Sequence, residues 1–323
     1  MDDVAAFGRL VEALRPWLDH LVIVGGWAHH LHRYHPLAGA PPYAPLRTRD
    51  MDLAFSPSAP LRGDISAALQ AAGFVEELAG EHTPPVTHYR IGEEDQGFYA
   101  EFLVPQTGSG VRRSGRRDAT LARAGVTAQK LRHLDILLIH PWAVRLQASA
   151  GIPVSRPTDL SIANPVSFIA QKLLIHGRRE PGKKAQDVLY VHDTLELFGR
   201  SLDALRGEWL ERVSPGLHRR TAREIDQLRR VQFETVNDVI RNAVRIPQDR
   251  ALLAERVQAA CALGLERIFG PGSAGSAARK GSPGRRSNPS PATLTHQSPS
   301  GWLSRNLRQR SPTRLWRGKS SPR

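Results

Sequence analysis

The sequence has almost no cysteine, no long apolar run and, over residues 271–323, no acidic side chain. Cys261 is the only cysteine among 323 residues, which excludes an intrachain disulfide and favours a reducing compartment. No apolar stretch approaches the ~20 residues that span a bilayer. The opening residues, "MDDVAAFGRL", lack the basic start and apolar core of a signal peptide. We therefore expect a cytoplasmic protein with no membrane partner.

The missing acidic residues separate residues 271–323 from the rest of the chain. This segment carries eleven Lys or Arg, whereas residues 1–270 carry 34 basic and 31 acidic side chains, so it holds most of the net charge of +14. Its Ser, Pro, Gly and Arg offer little to bury, which predicts a disordered tail. A nucleic-acid-binding arm that stacks Trp302 and Trp316 on bases is one interpretation. A passive extension is the other, and the composition favours it.

Residues 1–160 alternate predicted helices and short apolar strands. The stretch "HLVIVGG" predicts a buried strand that ends in two glycines, and "WAHHLHRY" predicts a helix directly after them. A loop rich in Pro and Gly then leads to the strand "TRDMDLAF". The stretches "VTHYRI" and "GFYAEFLVP" predict paired strands, and "LDILLIHP" predicts one more. The fold class is therefore α/β (α+β), a mixed sheet with flanking helices.

Residues 161–270 are expected to be helical. Asn164 and Pro165 predict a helix start, with Asn as the N-cap and Pro at the first helical position. Longer amphipathic helices are predicted over residues 218–244 and 248–268. The predicted domains are a sheet domain over 1–160, a helical domain that contributes to a cleft over 161–270, and a basic tail over 271–323.

Two aspartates interrupt the strand "TRDMDLAF". Because side chains alternate along a strand, Asp50 and Asp52 point the same way, roughly 7 Å apart. Each raises the pKa of the other unless a positive group lies between them. Glu101, in the apolar strand "FYAEFLV", adds a third carboxylate, and together the three predict metal ligands for two Mg²⁺ or Mn²⁺ ions. For an isolated D-x-D pair, the alternative is an edge strand with both aspartates in solvent.

A phosphate-binding position is predicted beside these carboxylates. Gly25 and Gly26 form a turn between a strand and a helix, where exposed backbone N–H groups suit a phosphate. Arg47 and Arg49 flank the aspartate strand and add positive charge. Metal ions held by three carboxylates can clamp a triphosphate and activate an attacking hydroxyl. The pattern therefore favours binding of a nucleoside triphosphate (NTP).

The motifs "VGGWA", "TRDMDLAF" and "AEFLVP", in this order, resemble those of the DNA polymerase β-like nucleotidyltransferase superfamily. Within it the chain is similar to the bacterial AbiEii/MenT-type toxin nucleotidyltransferases over roughly residues 20–200. The superfamily turn is often Gly-Ser, with a hydroxyl that contacts phosphate, and here Gly26 and Trp27 stand instead. The resemblance implies a polymerase β-like mixed sheet and catalysis by Asp50, Asp52 and Glu101.

In that toxin group a lysine and an aspartate from a following helical domain complete the site. Lys172 in "NPVSFIAQKLLIHGRR" and Asp187 in "GKKAQDVLYVHDTLELF" stand at matching places. The helix of Lys172 is also apolar on two faces, which favours a place at a cleft, although an ordinary surface lysine is the alternative. The resemblance implies that Lys172 is catalytic. The predicted nucleotide-binding residues are Gly25, Gly26, Arg49, Lys172 and Asp187.

Several other features carry less weight. The four histidines of "HHLHRYH" suggest zinc, but a third ligand is not evident. The four arginines of "GVRRSGRRDAT" fit either an RNA contact or a solvated loop. Trp27 fits either stacking on a base or core packing. Tyr190 and Asp193 are interpreted as structural.

The predicted reaction is transfer of a nucleoside monophosphate from an NTP to a hydroxyl, with release of pyrophosphate, by a two-metal mechanism. The preferred acceptor is an RNA, and the toxin resemblance points to the 3′ end of tRNA. The toxin resemblance adds a role in a toxin–antitoxin system with an antitoxin protein as partner. Two alternatives stay open: a small-molecule or protein nucleotidyltransferase, and a catalytically degenerate nucleic-acid-binding protein.

Overall fold

The structure of the chain is a computed structural model. It describes residues 2–46, 48–56, 61–81, 84–93, 96–111, 115, 117–148 and 151–271. These belong to one compact unit, Met1–Ser273, while a second unit, Ala274–Arg323, lies outside the described residues together with almost all of the predicted tail. Within the described part of the chain, no helix is both long and apolar enough to cross a bilayer.

The centre of the molecule is a mixed β-sheet. Across the described residues its strands are β1 Leu21–Val24, β2 Asp50–Phe55, β3 Val75–Ala79, β4 Val86–Ile91, β5 Phe98–Pro105, β6 Thr120–Arg123, β7 Val126–Leu131, β8 Trp142–Leu146 and β9 Thr158–Ile162. The main order is β3-β4-β5-β2-β1-β9-β8, and β7 pairs with both β5 and β6. β2 runs antiparallel to β1 but parallel to β5. The predicted fold class is confirmed.

Helices cover this sheet and form the C-terminal half of the unit. They are α1 Asp3–Ala13, α2 Gly25–Leu31, α3 Ile65–Ala71, α4 Pro165–Ile175, α5 Pro181–Leu197, α6 Leu202–Glu208, α7 Arg219–Gln232, α8 Asp238–Ala243 and α9 Ala254–Phe269. A single cluster of buried apolar side chains runs from α1 through the sheet strands to α9. The sheet and the helical half therefore share one core.

The start of α4 follows the predicted capping pattern. The Asn164 side chain accepts a hydrogen bond from the Ser167 backbone N–H at 2.7 Å, and Pro165 occupies the first turn. The Asn164 amide also donates to the carbonyls of Ile139 and His140, both at 2.9 Å. These bonds satisfy a helix end that is fully buried, and they tie α4 to the segment before β8.

Two predictions of secondary structure were wrong. The stretch "LDILLIHP" forms a 3-10 turn, Asp135–Leu138, instead of a strand. A short apolar run cannot distinguish a buried strand from a buried helical turn, which explains this error. The predicted helix over 218–244 is divided into α7 and α8, because Asn237 accepts a hydrogen bond from the Ile240 N–H at 3.0 Å and so starts a new helix.

Candidate active site

Strand register brings the three predicted metal ligands to one face of the sheet. β2 and β5 are parallel, and Asp52 pairs directly with Glu101. Asp50 lies two residues before Asp52 and therefore points to the same face, while the intervening Met51 is buried on the other. Asp50 is exposed, and Asp52 and Glu101 are partly buried. The three carboxylates thus line a rim where the core meets solvent.

The negative charge of the carboxylates on this rim is not fully balanced by nearby positive groups. Burial, followed by the nearby Glu101 carboxylate, raises the pKa of Asp52 to about 7. Lys172 acts in the opposite direction but does not cancel this effect. Burial and the charge of Asp50 also raise the pKa of Glu101. A group that binds both carboxylates as anions would have to bring positive charge.

His88 is a neighbour of the carboxylates that the sequence analysis did not find. It lies on β4, where it pairs with Glu101 in the antiparallel register, and its Nε2 lies 3.5 Å from Glu101 Oε1. Burial lowers the pKa of His88 below its ordinary value. At neutral pH the imidazole is therefore neutral, so it contacts Glu101 without compensating its charge.

The Gly25–Gly26 turn packs directly on the carboxylates. Gly25 has φ of +64°, and a β-carbon there would collide with the Asp52 carboxylate. A β-carbon on Gly26 would lie 2.6 Å from Thr48 Cγ2 and 2.7 Å from the Tyr190 hydroxyl. Glycine is thus required twice, once for backbone conformation and once for space. This close approach places the backbone amides that begin α2 next to Asp52.

Lys172 reaches the same region from α4. Its side chain is 7% exposed, and Nζ forms a 2.8 Å ion pair with Asp187 Oδ1. Nζ also lies 5.0 Å from the centroid of the Tyr190 ring and 5.4 Å from that of Phe168. The ammonium is therefore buried, unlike that of an ordinary surface lysine. Its influence on the pKa of Asp52 places both charges in one electrostatic environment.

Asp187 joins two cations at this position. It is 2% exposed, and its second oxygen forms a 3.0 Å ion pair with Arg179 Nε. Arg179 also lowers the pKa of Asp52 through its charge. Arg179 belongs to the short segment between α4 and α5 and was not among the predicted site residues. At this site a lysine and an arginine both form ion pairs with one buried aspartate, and the three carboxylates lie nearby.

A family model described as nucleotidyltransferase matches residues 2–214. The chain belongs to this nucleotidyltransferase family. The matched region contains the glycine turn, both carboxylate strands and the helices of Lys172 and Asp187. Membership supports general nucleotidyl transfer with an NTP as substrate. No curated protein matches the chain.

Other residues of the nucleotidyltransferase that the sequence analysis discussed lie in different settings. Trp27 is buried and stacks on Phe7 with ring centroids 4.3 Å apart, which is core packing. His29 and His32 are buried and join no group of three metal-ligand atoms within the described residues. The Arg49 carbonyl accepts a hydrogen bond from the Tyr99 N–H at 3.0 Å. Arg47 and the predicted loop arginines Arg112, Arg113 and Arg116 lie outside the described residues, while Arg117 is exposed.

A second acidic cluster lies on α5 of the nucleotidyltransferase. Ligand atoms of His192, Asp193 and Glu196 lie within 4.8 Å of one another, which is the convergence that a metal site needs. However, Asp193 accepts two hydrogen bonds from Arg250 Nη2, at 2.6 and 2.7 Å. Glu196 accepts one from the Tyr43 hydroxyl at 2.6 Å. A guanidinium already compensates the most buried carboxylate of this cluster.

Proposed function

We propose that this chain transfers a nucleoside monophosphate from an NTP to a hydroxyl group on RNA, with release of pyrophosphate. The observation that carries the proposal is the pairing of Asp52 with Glu101 across β2 and β5, on the rim that also holds the glycine turn and Lys172. In this arrangement, groups that bind anions (the glycine amides and the lysine) lie next to anionic groups (the carboxylates). Groups of both kinds in one site suit a metal-bound triphosphate and few other ligands.

The donor set fits a divalent cation. Asp50, Asp52 and Glu101 offer only oxygen atoms, the ligand type that Mg²⁺ and Mn²⁺ prefer. Burial, followed by the neighbouring carboxylates, raises the pKa values of Asp52 and Glu101, so a bound cation would favour their charged forms. These three residues would hold the cation. When bound, it would neutralise charge on the triphosphate and lower the pKa of the attacking hydroxyl.

The remaining residues of the site have roles that follow from their chemistry. Glu101 is a carboxylate on the same rim and would accept the proton of the attacking hydroxyl. Lys172 would neutralise phosphate oxygens, and its ion pair with Asp187 fixes its position. The amides of Gly25 and Gly26 would donate hydrogen bonds to the phosphates. Catalysis would then consist mainly of positioning and electrostatic stabilisation.

A cationic surface of the helical half supports a polymeric acceptor. A surface depression of about 590 Å³ at the start of α7 is lined by His218, Arg219, Arg220 and Arg223, together with Glu224 and Gln227. Within the described residues, none of these three arginines forms an ion pair, whereas Arg229 and Arg230 on the same helix are paired with Asp226. Unpaired arginines suit an RNA phosphate backbone, and a cationic small molecule would be repelled.

The experiment that tests the function is a labelling assay with each α-labelled NTP, magnesium and total cell RNA. Label is expected in the RNA fraction, and purified tRNA should accept it at the 3′ end. Asp52→Ala and Lys172→Ala should both abolish the labelling. Label that enters a protein or small-molecule fraction instead would contradict the RNA acceptor and leave nucleotidyl transfer standing.

The role of the α7 surface is tested by a separate set of variants. Replacing Arg219, Arg220 and Arg223 with alanine should weaken RNA binding and reduce its dependence on salt, because three phosphate contacts are lost. The control removes the paired Arg230, which should change RNA binding much less. Equal effects of the two changes would contradict an RNA-binding role for this surface.

The resemblance to AbiEii/MenT-type toxins adds a biological proposal, a toxin that modifies tRNA and is neutralised by an antitoxin protein. Induced expression should then arrest bacterial growth, and Asp52→Ala should relieve the arrest. Normal growth with fully active enzyme would contradict the toxin role while leaving the chemistry intact.

A further inference from the structure

Tyr190 lies against the glycine turn of the candidate site. It belongs to α5 and is 4% exposed. A β-carbon built on Gly26 would lie 2.7 Å from its hydroxyl oxygen, so the hydroxyl occupies the space that a side chain at this position would need. Its ring centroid lies 5.0 Å from Lys172 Nζ. The hydroxyl therefore lies beside the turn, and the ring lies beside the buried lysine.

The hydroxyl has a proton to donate. The hydrogen bond that the described residues give it is accepted from Gln186 Nε2 at 3.4 Å, and within the same residues its own proton meets no acceptor at bonding distance. Burial and the charges of Asp187 and Asp52 raise the pKa of Tyr190, so it stays protonated across the physiological range. A buried O–H without an acceptor is costly to leave unpaired.

The ring of Tyr190 is fixed by aromatic neighbours. His29 packs edge-on with ring centroids 5.1 Å apart, and Phe168 does so at 5.8 Å. Both are buried, and these contacts leave the ring little freedom to turn. The position of the hydroxyl is thus set by the core before any substrate binds, and a donor placed in this way loses little entropy on binding.

We propose that the Tyr190 hydroxyl donates a hydrogen bond to a phosphate oxygen of the bound NTP. Tyr190 is then a nucleotide-binding residue, and its ring in addition supports Lys172. The chemistry of its neighbours selects phosphate: a buried ammonium and glycine amides are both donors to anions, and a neutral donor beside the glycine turn adds to this set. The inference rests on the proposed function and goes further by naming a residue that positions the triphosphate.

The test uses Tyr190→Phe in the full chain, which removes the hydroxyl and keeps the ring on Lys172, His29 and Phe168. Binding of a non-hydrolysable NTP analogue and of the matching nucleoside monophosphate is measured by titration calorimetry with magnesium present. The affinity for the triphosphate should fall roughly 10- to 100-fold, as expected for one lost hydrogen bond to a charged group, and that for the monophosphate should change less.

The control is Tyr89→Phe, which removes a buried hydroxyl that bonds Glu76 at 3.1 Å on the far side of the sheet. It should leave both affinities unchanged, and the thermal stability of both variants shows that they are folded. Unchanged triphosphate affinity in Tyr190→Phe would overturn the inference, as would equal loss for both nucleotides. Failure of the wild type to bind any nucleotide would overturn the proposed function itself, so the two failures are distinguishable.

Discussion

Asp52 and Asp193 belong to two different acidic clusters. Asp193 is paired with a cationic side chain, whereas Asp52 faces another carboxylate. Asp193 is 1% exposed, accepts two hydrogen bonds from Arg250 and lies 3.0 Å from His192 Nδ1. Asp52 forms no ion pair within the described residues, and burial, followed by the facing Glu101 carboxylate, raises its pKa to about 7. A metal ion would add little stabilisation to an aspartate that is already paired with a guanidinium. It would add much more to an aspartate that faces other carboxylates.

The comparison shows that converging ligand atoms are a weaker guide to a cation site than uncompensated charge. The ligand atoms of His192, Asp193 and Glu196 lie within 4.8 Å of one another, yet Asp193 is bonded to Arg250, and Glu196 is bonded to Tyr43 of the loop before β2. Arg250 also lies over the Tyr43 ring, 3.5 Å from its centroid. We therefore interpret this cluster as structural and the carboxylates of β2 and β5 as functional.

The largest effect is expected at the structural cluster. Asp193→Ala leaves the Arg250 guanidinium without its buried partner, so the free energy of unfolding should fall by about 3–5 kcal/mol, measured by urea denaturation. Glu196 is 44% exposed, and Glu196→Gln should cost only about 1 kcal/mol. Wild-type stability in Asp193→Ala would show that the ion pair does not hold this region together.

The next effect concerns catalysis. Asp52→Asn should lower the rate of nucleotidyl transfer on the order of 10²–10³-fold, because an electrostatic contact with the reacting groups is lost. In the absence of divalent cations the same variant should melt at a higher temperature than the wild type, because one of the repelling carboxylates is gone. An active Asp52→Asn enzyme would contradict the account, and so would a destabilised one.

The pKa of Asp52 predicts a pH dependence of stability without divalent cations. The folded protein keeps this proton up to a pH of about 7, whereas an unperturbed aspartate releases it near 3.8. The folded chain therefore binds more protons than the unfolded chain between these values, and the free energy of unfolding attributable to Asp52 falls, by up to a few kcal/mol, as the pH rises through this range. Above it the loss is complete. Parallel pH profiles for the wild type and Asp52→Asn would contradict this.

The smallest effect is expected at His88. His88→Gln keeps a polar neighbour near Glu101 but changes its orientation, and loss of such an outer contact should lower activity about tenfold. The measurement is the transfer rate at saturating NTP, with His35→Gln as the control, since His35 stacks on Trp142 away from the carboxylates. If both variants behave alike, His88 has no role in positioning Glu101.

Local signals in the sequence were sufficient for part of this architecture. The helix start at Asn164 and the aspartate strand depend on residues close together in the chain, and both form as predicted. The two glycines lie between β1 and the rest of α2, but they are the first residues of the helix and not a separate turn before it. Glu101 was predicted to join the aspartates because a charge is out of place in an apolar strand, and the structure pairs it directly with Asp52. The roles of these residues stay predictions.

Contacts that depend on register and helix packing could not be predicted in this way. His88 reaches Glu101 only through the pairing of β4 with β5, and Arg250 reaches Asp193 across 57 positions of the chain. Tyr190 was predicted to be structural, because no residue near it in the sequence indicates that its hydroxyl lies close to Gly26. Periodicity fixes which face a residue lies on but does not specify the partner on that face.

Binding of Mn²⁺ by titration calorimetry tests the central claim most directly, with the wild type, Asp52→Asn and Glu196→Gln compared in the presence of a non-hydrolysable NTP analogue. The account predicts that Asp52→Asn abolishes cation binding and that Glu196→Gln retains it at wild-type affinity. Cation binding that survives in Asp52→Asn and is lost in Glu196→Gln would contradict the account and move the metal site to α5.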